Sequence, residues 1–320
     1  MRILNKKTIE DLTEVQATTD IAEQAIKGQP RKTYVVPDRQ YTTHGDITYL
    51  YSTVFGPEMG GLKTIAVRKG GRSAANHTIS GTMQLFDTNT HQLLALLDGA
   101  ALTGITTGAA SAVGVRHLAP AGAKRLGLVG AGVQGFYQAI AADAERSFQQ
   151  IMVFDQDMWK TEQAVEKIKQ HTYCKNIIPA STIEELLTDS EVIITATNSA
   201  VPVLPEDKPI LYGKTYIATG SCSPGMRELP ITLFEHLQQC ITDTPAAMRE
   251  SGDLIEPIIN SRFHIDDILT MEEYLGKKNP PAPGNTRLFK TVGSALCDLF
   301  VARDLYHKAL ETDAGFEAAM

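Results

Sequence analysis

Apolar and polar positions change in short steps over the first hundred residues. Residues 47–54 (ITYLYSTV), 62–67 (LKTIAV) and 79–87 (ISGTMQLFD) are rich in β-branched and aromatic side chains, the composition of half-buried strands. Gly56-Pro57 and Gly70-Gly71 punctuate these runs, and Asp87-Thr88-Asn89-Thr90 predicts a hairpin turn leading into 91–97 (HQLLALL). With a helix over about 7–27, this region predicts a mainly antiparallel α+β domain. Residues 100–118 are small and apolar, which predicts a helix packed very close to a neighbour. Ala119-Pro120-Ala121-Gly122 then breaks the pattern.

From residue 125 the rhythm becomes strand, helix, strand. The predicted strands are 125–129, 150–154, 191–196 and 215–219, with helices at 133–146 and 158–170. This alternation predicts a parallel sheet covered by helices on both faces, hence an α/β chain. A last helical stretch spans about 293–310. The expected division is 1–118 as a substrate-binding and dimerisation domain and 119–302 as a nucleotide-binding domain. The last helix, about 303–320, returns to the first domain.

Composition narrows the function. Apolar residues make up 43% of the 320 and the net charge is −7, so disorder is not the main theme. The acidic balance argues against nucleic-acid binding, which needs clustered Lys and Arg. No apolar run approaches the roughly 18 residues that span a bilayer, and a charged beginning, MRILNKKTIE, points to a cytoplasmic protein without membrane partners. Cys174, Cys222, Cys240 and Cys297 are far apart. That spacing suits reduced thiols and offers no zinc pattern and no metal site.

The most informative motif is Gly130-Ala131-Gly132-Val133-Gln134-Gly135. It follows an apolar strand and opens a helix, the context of a Rossmann dinucleotide-binding turn. The first glycine permits the turn, the second lets backbone approach a pyrophosphate, and the third lets helix and strand pack closely. Asp155 ends the next strand, about 20 residues on, where a carboxylate accepts from ribose hydroxyls. Asp157 adds a second negative charge, which disfavours a 2′-phosphate. NAD(H) is therefore favoured over NADP(H), with Lys160 as the one nearby cation that could favour the phosphate.

The chain resembles the ornithine cyclodeaminase/mu-crystallin family from about residue 30 to 305. The segments that carry the resemblance are 93–139, TGSCSPGMREL at 219–229, ESGDL at 250–254 and FKTVGSALCDL at 289–299. The resemblance implies a Rossmann domain, a second domain that makes a homodimer, and a bound nicotinamide dinucleotide. It also implies site residues. Lys63 matches the substrate-site lysine, although a solvent-facing lysine on an alternating strand is the plain alternative. Arg39 matches an arginine that holds the substrate carboxylate, a task suited to a planar guanidinium, with Arg31 as a competitor. Thr78 falls where a threonine meets substrate, with His77 beside it. Thr197 and Asn198 follow a strand at the carboxyl end, where dinucleotides bind, and Thr219, Gly220 and Ser221 follow the next strand, near the nicotinamide ribose. Val292 and Gly293 match the segment that meets the nicotinamide amide. Asp298 follows in the same motif, with a helix-surface acid as its plain reading.

Two positions depart from the family pattern. Thr106 stands where the family commonly has a carboxylate-gripping arginine, so another cation takes over or the substrate differs at that end. Arg68, Lys69 and Arg72 are candidates for that cation, with a solvated basic turn as their plain and favoured reading. Cys222 stands where cyclodeaminases carry an aspartate. A thiol is a poorer base near neutral pH, so a filling or inert role is favoured over proton transfer. The candidate catalytic residues are Lys63 and Cys222. Arg39, Lys63, Thr78 and Thr106 are the candidate substrate contacts.

These features lead to the expectation of an NAD(H)-dependent oxidoreductase acting at the C=N or C–N carbon of a small imino or amino acid. The alternatives are a redox-neutral cyclodeaminase that converts ornithine to proline and ammonia, an NAD-dependent amino-acid-joining synthase, and a dinucleotide-dependent binding protein without turnover.

Overall fold

The computed structural model describes residues 1–27, 33–68, 79–206, 209–277 and 284–319. The chain packs as two compact units, Met1–Thr106 with Ser294–Met320, and Thr107–Gly293. The expected boundaries were 118/119 and 302/303. The first division instead falls inside one continuous helix, α3 (Gly99–Leu118), and the return begins at the cap of the C-terminal helix (Ala295–Glu311).

In the first unit, β1 (Arg2–Leu4), β2 (Gln40–His44), β3 (Ile47–Phe55), β4 (Met59–Arg68), β5 (Ile79–Asp87) and β6 (Leu93–Asp98) form one sheet with a last strand, Phe316–Glu317. Its order is Phe316–Glu317, β1, β6, β5, β4, β3, β2. All pairings are antiparallel except β1 with β6. Asp87 makes the expected turn, its Oδ1 accepting from the Asn89 and Thr90 amides. The helix expected over 7–27 is two helices, α1 (Lys6–Leu12) and α2 (Val15–Ile26). The break comes where Thr13 and Glu14 adopt extended backbone and the Thr13 hydroxyl donates to Ile9 O, the local competition that ends helices at such residues.

In the second unit, β7 (Arg125–Val129), β8 (Gln150–Phe154), β9 (Ile177–Pro179), β10 (Val192–Thr195), β11 (Thr215–Ala218), β12 (Leu237–Thr242), β13 (Ile268–Thr270) and β14 (Thr286–Lys290) form a second sheet. All its pairs are parallel. The order is β13-β12-β14-β11-β10-β7-β8-β9. Read from β9 to β14, it is the doubly wound Rossmann order, with the switch point between β7 and β10. The helices α4 (Val133–Arg146), α5 (Met158–Lys169) and α6 (Ile183–Asp189) are the crossovers of its first half. Strands β9, β12, β13 and β14 carry no clear strand pattern, because two are three residues long, β12 opens on Leu237-Gln238-Gln239, and β14 carries Arg287 and ends on Lys290.

The small residues of α3 have a local reason. A Cβ at Gly108 would lie 2.9 Å from Tyr137 O on α4, and one at Gly114 would lie 2.4 Å from the Phe289 ring on β14. Among the described residues, no helix is long and apolar enough to cross a membrane.

Candidate active site

In the first unit the site is built on β4. Lys63 pairs with Ser52 on β3 and with Met83 on β5. Residues directly opposite share a face, and this face also carries Val54, Ile65 and Leu85, all buried. The C-terminal helix packs on these strands. Lys63 is therefore a cation on an apolar, covered face, with its side chain 11% exposed. The solvent-facing alternative is excluded.

A buried ammonium needs a counter-charge. Lys63 Nζ donates to Asp298 Oδ2 at 2.7 Å. Asp298 comes from the C-terminal helix and is itself buried, so it is no helix-surface acid. Its other oxygen, Oδ1, accepts from Thr106 Oγ1 at 2.8 Å. Thr106 thus orients the acid that holds Lys63. Arg39 is half-buried and its Nε donates to Ser52 Oγ at 3.3 Å, which places it beside Lys63 through their shared neighbour Ser52.

Arg68 does not join this group. It lies five residues along β4 and so on the opposite face, with Asp46 Oδ2 3.7 Å from its Nε. Arg31, Lys69, Arg72, His77 and Thr78 lie outside the described residues.

In the second unit the glycine loop has the expected form. Gly130 has φ +108°, a value that favours glycine. A Cβ at Gly135 would lie 2.0 Å from Gly130 O, whereas one at Gly132 would meet nothing within 4 Å. The helix start is therefore tight, and the middle glycine faces open space of the kind a pyrophosphate needs. Val133 is exposed beside it and Gln134 follows in the first turn of α4. Asp155 Oδ2 accepts from the Ala131 amide at 2.9 Å, so the acid is held against the glycine loop. Asp157 caps α5, accepting from the Trp159 and Lys160 amides.

The strand ends at the switch point are held from below by buried acids. Glu228 is fully buried. Its Oε1 accepts from Thr197 N at 2.6 Å, and its Oε2 accepts from Gly220 N and Thr195 Oγ1, each at 2.8 Å. Burial and the facing Asp253 push the Glu228 carboxyl above its ordinary range. Asp253 Oδ1 accepts from the Glu228 and Leu229 amides, and its Oδ2 lies 3.6 Å from Lys290 Nζ. Asp243 Oδ2 accepts from Thr291 Oγ1 and from the Val292 and Gly293 amides. Burial raises this carboxyl too.

Of the remaining expected residues, Asn198 is exposed, and the Thr219 hydroxyl donates to Thr195 O. The Ser221 hydroxyl is fully buried, 2.6 Å from Met226 O and 2.9 Å from Ser251 Oγ. It braces its own loop instead of facing outward. Cys222 is half-buried, its Sγ 4.0 Å from Met226 Sδ.

Glu228, Asp253, Asp243 and Lys290 escaped the sequence reading as site residues. Three of them lie in segments that carried the resemblance, GMREL, ESGDL and FKTVG. For Asp243 and Lys290 the available signal was a charged residue at the end of a strand-like run, CITD and RLFK; Glu228 and Asp253 sit among polar and charged neighbours and carried no such signal.

A glycine cradle at the switch point of a doubly wound sheet in one unit, and a lysine–aspartate pair on the antiparallel strands of the other, define a two-unit protein of the Rossmann class. The profile of the ornithine cyclodeaminase/mu-crystallin family matches residues 2–313. The Delta(1)-pyrroline-2-carboxylate reductase of Bacillus cereus is 32% identical over 274 residues, covering 82% of each chain. The ketimine reductase mu-crystallin of Mus musculus is 28% identical over 246 residues, covering 76% of this chain and 74% of its own. The structure of Thermococcus litoralis Delta(1)-pyrroline-2-carboxylate reductase in complex with NADH and L-proline superposes with a TM-score of 0.92 at 24% identity, covering 99% of this chain and 100% of that one. The chain belongs to the ornithine cyclodeaminase/mu-crystallin family.

Proposed function

We propose that this protein is an NAD(H)-dependent imine reductase acting on a small imino acid with a carboxylate, working as a homodimer. The observation that carries the reading is the 32% identity, over 82% of both chains, to a protein named as a pyrroline-2-carboxylate reductase. The mouse relative is likewise named a ketimine reductase.

The residues present fit a dinucleotide. The open space at Gly132 admits a pyrophosphate, and the N-terminus of α4 favours its charge. Asp155 accepts from adenosine ribose hydroxyls, and the charges of Asp155 and Asp157 disfavour a 2′-phosphate. The loops at Thr197–Asn198, Thr219–Gly220 and Val292–Gly293 hold the nicotinamide half. When bound, NADH supplies the hydride that reduces the C=N carbon.

The chain's own residues bind and orient the imino acid. Arg39 and Lys63 hold its carboxylate. Asp298 fixes the direction of Lys63 Nζ, and Thr106 fixes Asp298. In this reading Lys63 and Arg39 together take the place of an arginine at position 106. Cys222 fills space beside Met226 in this reading.

The test is NADH absorbance decay with purified protein and a panel of cyclic ketimines, including Δ1-pyrroline-2-carboxylate, with NADPH in parallel. Decay with at least one imine, faster with NADH, is expected. A protein that binds NADH yet oxidises none of it with any imine overturns the reading. Ammonia release from L-ornithine without net NADH change would then identify a cyclodeaminase.

A further inference from the structure

We propose that Glu228 is a positioning residue for the nicotinamide half of the dinucleotide, a single buried carboxylate that clamps the ends of β10 and β11 together. The proposal rests on the reading above only in naming the ligand.

The geometry points to this role in three ways. First, the carboxylate joins two strands. It takes the Thr195 hydroxyl and Thr197 amide from the end of β10 and the Gly220 amide from the end of β11. Second, the packing leaves no slack. A Cβ at Gly220 would lie 2.5 Å from Glu228 Cδ and 2.1 Å from Thr197 O, so this position requires glycine. Third, the clamp is anchored from behind. The Glu228 and Leu229 amides donate to Asp253 Oδ1. Lys290 Nζ lies 3.6 Å from Asp253 Oδ2 and donates to Ala218 O at 3.2 Å. The chain of contacts starts at the end of β10 and closes on the end of β11.

A carboxyl group is suited to this place in a way an amide is not. Three donors converge on two oxygens, and a carboxamide nitrogen can accept from none of them. Among the described residues, the ion partner within the cluster, Lys290, sits on Asp253 and not on Glu228. Burying Glu228 therefore has a cost that its three accepted hydrogen bonds offset. The backbone it holds, around Thr197 and Gly220, lies at the carboxyl ends of the fourth and fifth strands of the doubly wound order. That half of the fold takes the second mononucleotide, while the glycine loop and Asp155 belong to the first. A defect at Glu228 is thus expected to weaken one half of the ligand and spare the other.

The experiment is calorimetric titration of wild type, Glu228→Gln and Thr195→Val with NADH and, separately, with ADP, which lacks the nicotinamide and its ribose. Glu228→Gln turns one acceptor into a donor, so either the Thr197 or the Gly220 amide loses its partner. The expected result is about a tenfold rise in Kd for NADH with the Kd for ADP unchanged. Thr195→Val keeps the volume and removes one hydroxyl donor. It is expected to give a smaller rise in the NADH Kd, again sparing ADP, and it decides the matter if Glu228→Gln does not fold. Equal weakening of both ligands, or an unchanged NADH Kd in the folded variants, overturns the clamp. Wild type that binds NADH and reduces no imine refutes the reductase reading while the clamp test stands. Wild type that binds neither ligand overturns both.

Discussion

Lys63 and Asp298 are 235 positions apart in the chain, and Lys63 Nζ lies 2.7 Å from Asp298 Oδ2. Asp298 is buried and Lys63 nearly so, their side chains 7% and 11% exposed. Removing one partner leaves the other charge uncompensated, at a cost of about 3–5 kcal/mol. Asp298→Asn is expected to lower the Tm and to reduce kcat/KM for the imino acid by on the order of 100-fold, with the Kd for NADH unchanged. Steady-state kinetics beside thermal denaturation checks this. An unchanged kcat/KM would remove the pair from the substrate site.

Thr106 supports Asp298 through one hydrogen bond of 2.8 Å. Thr106→Val keeps the shape and removes that donor. The expected loss is about 1 kcal/mol of stability, with a rise in KM for the imino acid and little change in kcat. Chemical denaturation and initial-rate measurements separate the two effects. A KM equal to that of wild type would make Thr106 a packing residue only.

The glycines of the cradle are expected to fail differently. Gly132→Ala adds a methyl group into open space, so the fold is expected to persist while the Kd for NADH rises. Gly135→Ala places a Cβ 2.0 Å from Gly130 O, so it is expected to lower the Tm outright. Parallel calorimetry and thermal melts on the two variants show the contrast. Equal behaviour in both assays contradicts the assignment of the open space to a ligand.

Asp155 holds the glycine loop through the Ala131 amide and carries the charge argument for NAD(H). Asp155→Ser is expected to weaken NADH binding by about tenfold, as for a lost charge-assisted hydrogen bond, and to raise the NADPH-to-NADH ratio of kcat/KM. If that ratio stays fixed, cofactor choice lies elsewhere, with Lys160 as the first candidate.

Burial raises the carboxyls of Glu228 and Asp243. A group with a raised folded pKa binds its proton more tightly in the native state. For an acid, the folded state then loses stability as pH rises from the ordinary carboxylate range, about 4, through the raised value. The Tm of wild type is therefore expected to fall more steeply with pH over that window than the Tm of Glu228→Gln. Asp87, held low by the Thr90 and Asn89 amides, acts in the opposite sense. Its contribution is lost only as pH falls below the ordinary aspartate range, outside the window. Parallel slopes in wild type and variant contradict a raised Glu228.

Much of the second unit was legible before any coordinates. The turn at Gly130–Gly135, the helix after it and Asp155 sit within one strand–helix–strand unit, so sequence distance tracks spatial distance. The turn at Asp87 was legible for the same reason. The break at Thr13–Glu14 was not, because the apolar pattern continues across it and only backbone conformation divides it. Strand β14 was missed because Arg287 and Lys290 look like surface residues, although both are buried.

The sequence by itself determined the class of fold and the dinucleotide cradle, because short-range periodicity and turn chemistry specify local structure; Lys63 became a candidate through the family resemblance and not through its strand pattern. Tertiary structure alone decided that Lys63 turns inward onto Asp298, that Thr106 serves Asp298, and that Glu228 joins the ends of β10 and β11. Those contacts bring together residues from distant segments. Whether a charge there is buried and paired, or solvated, depends on which face of which element covers it, and packing sets that.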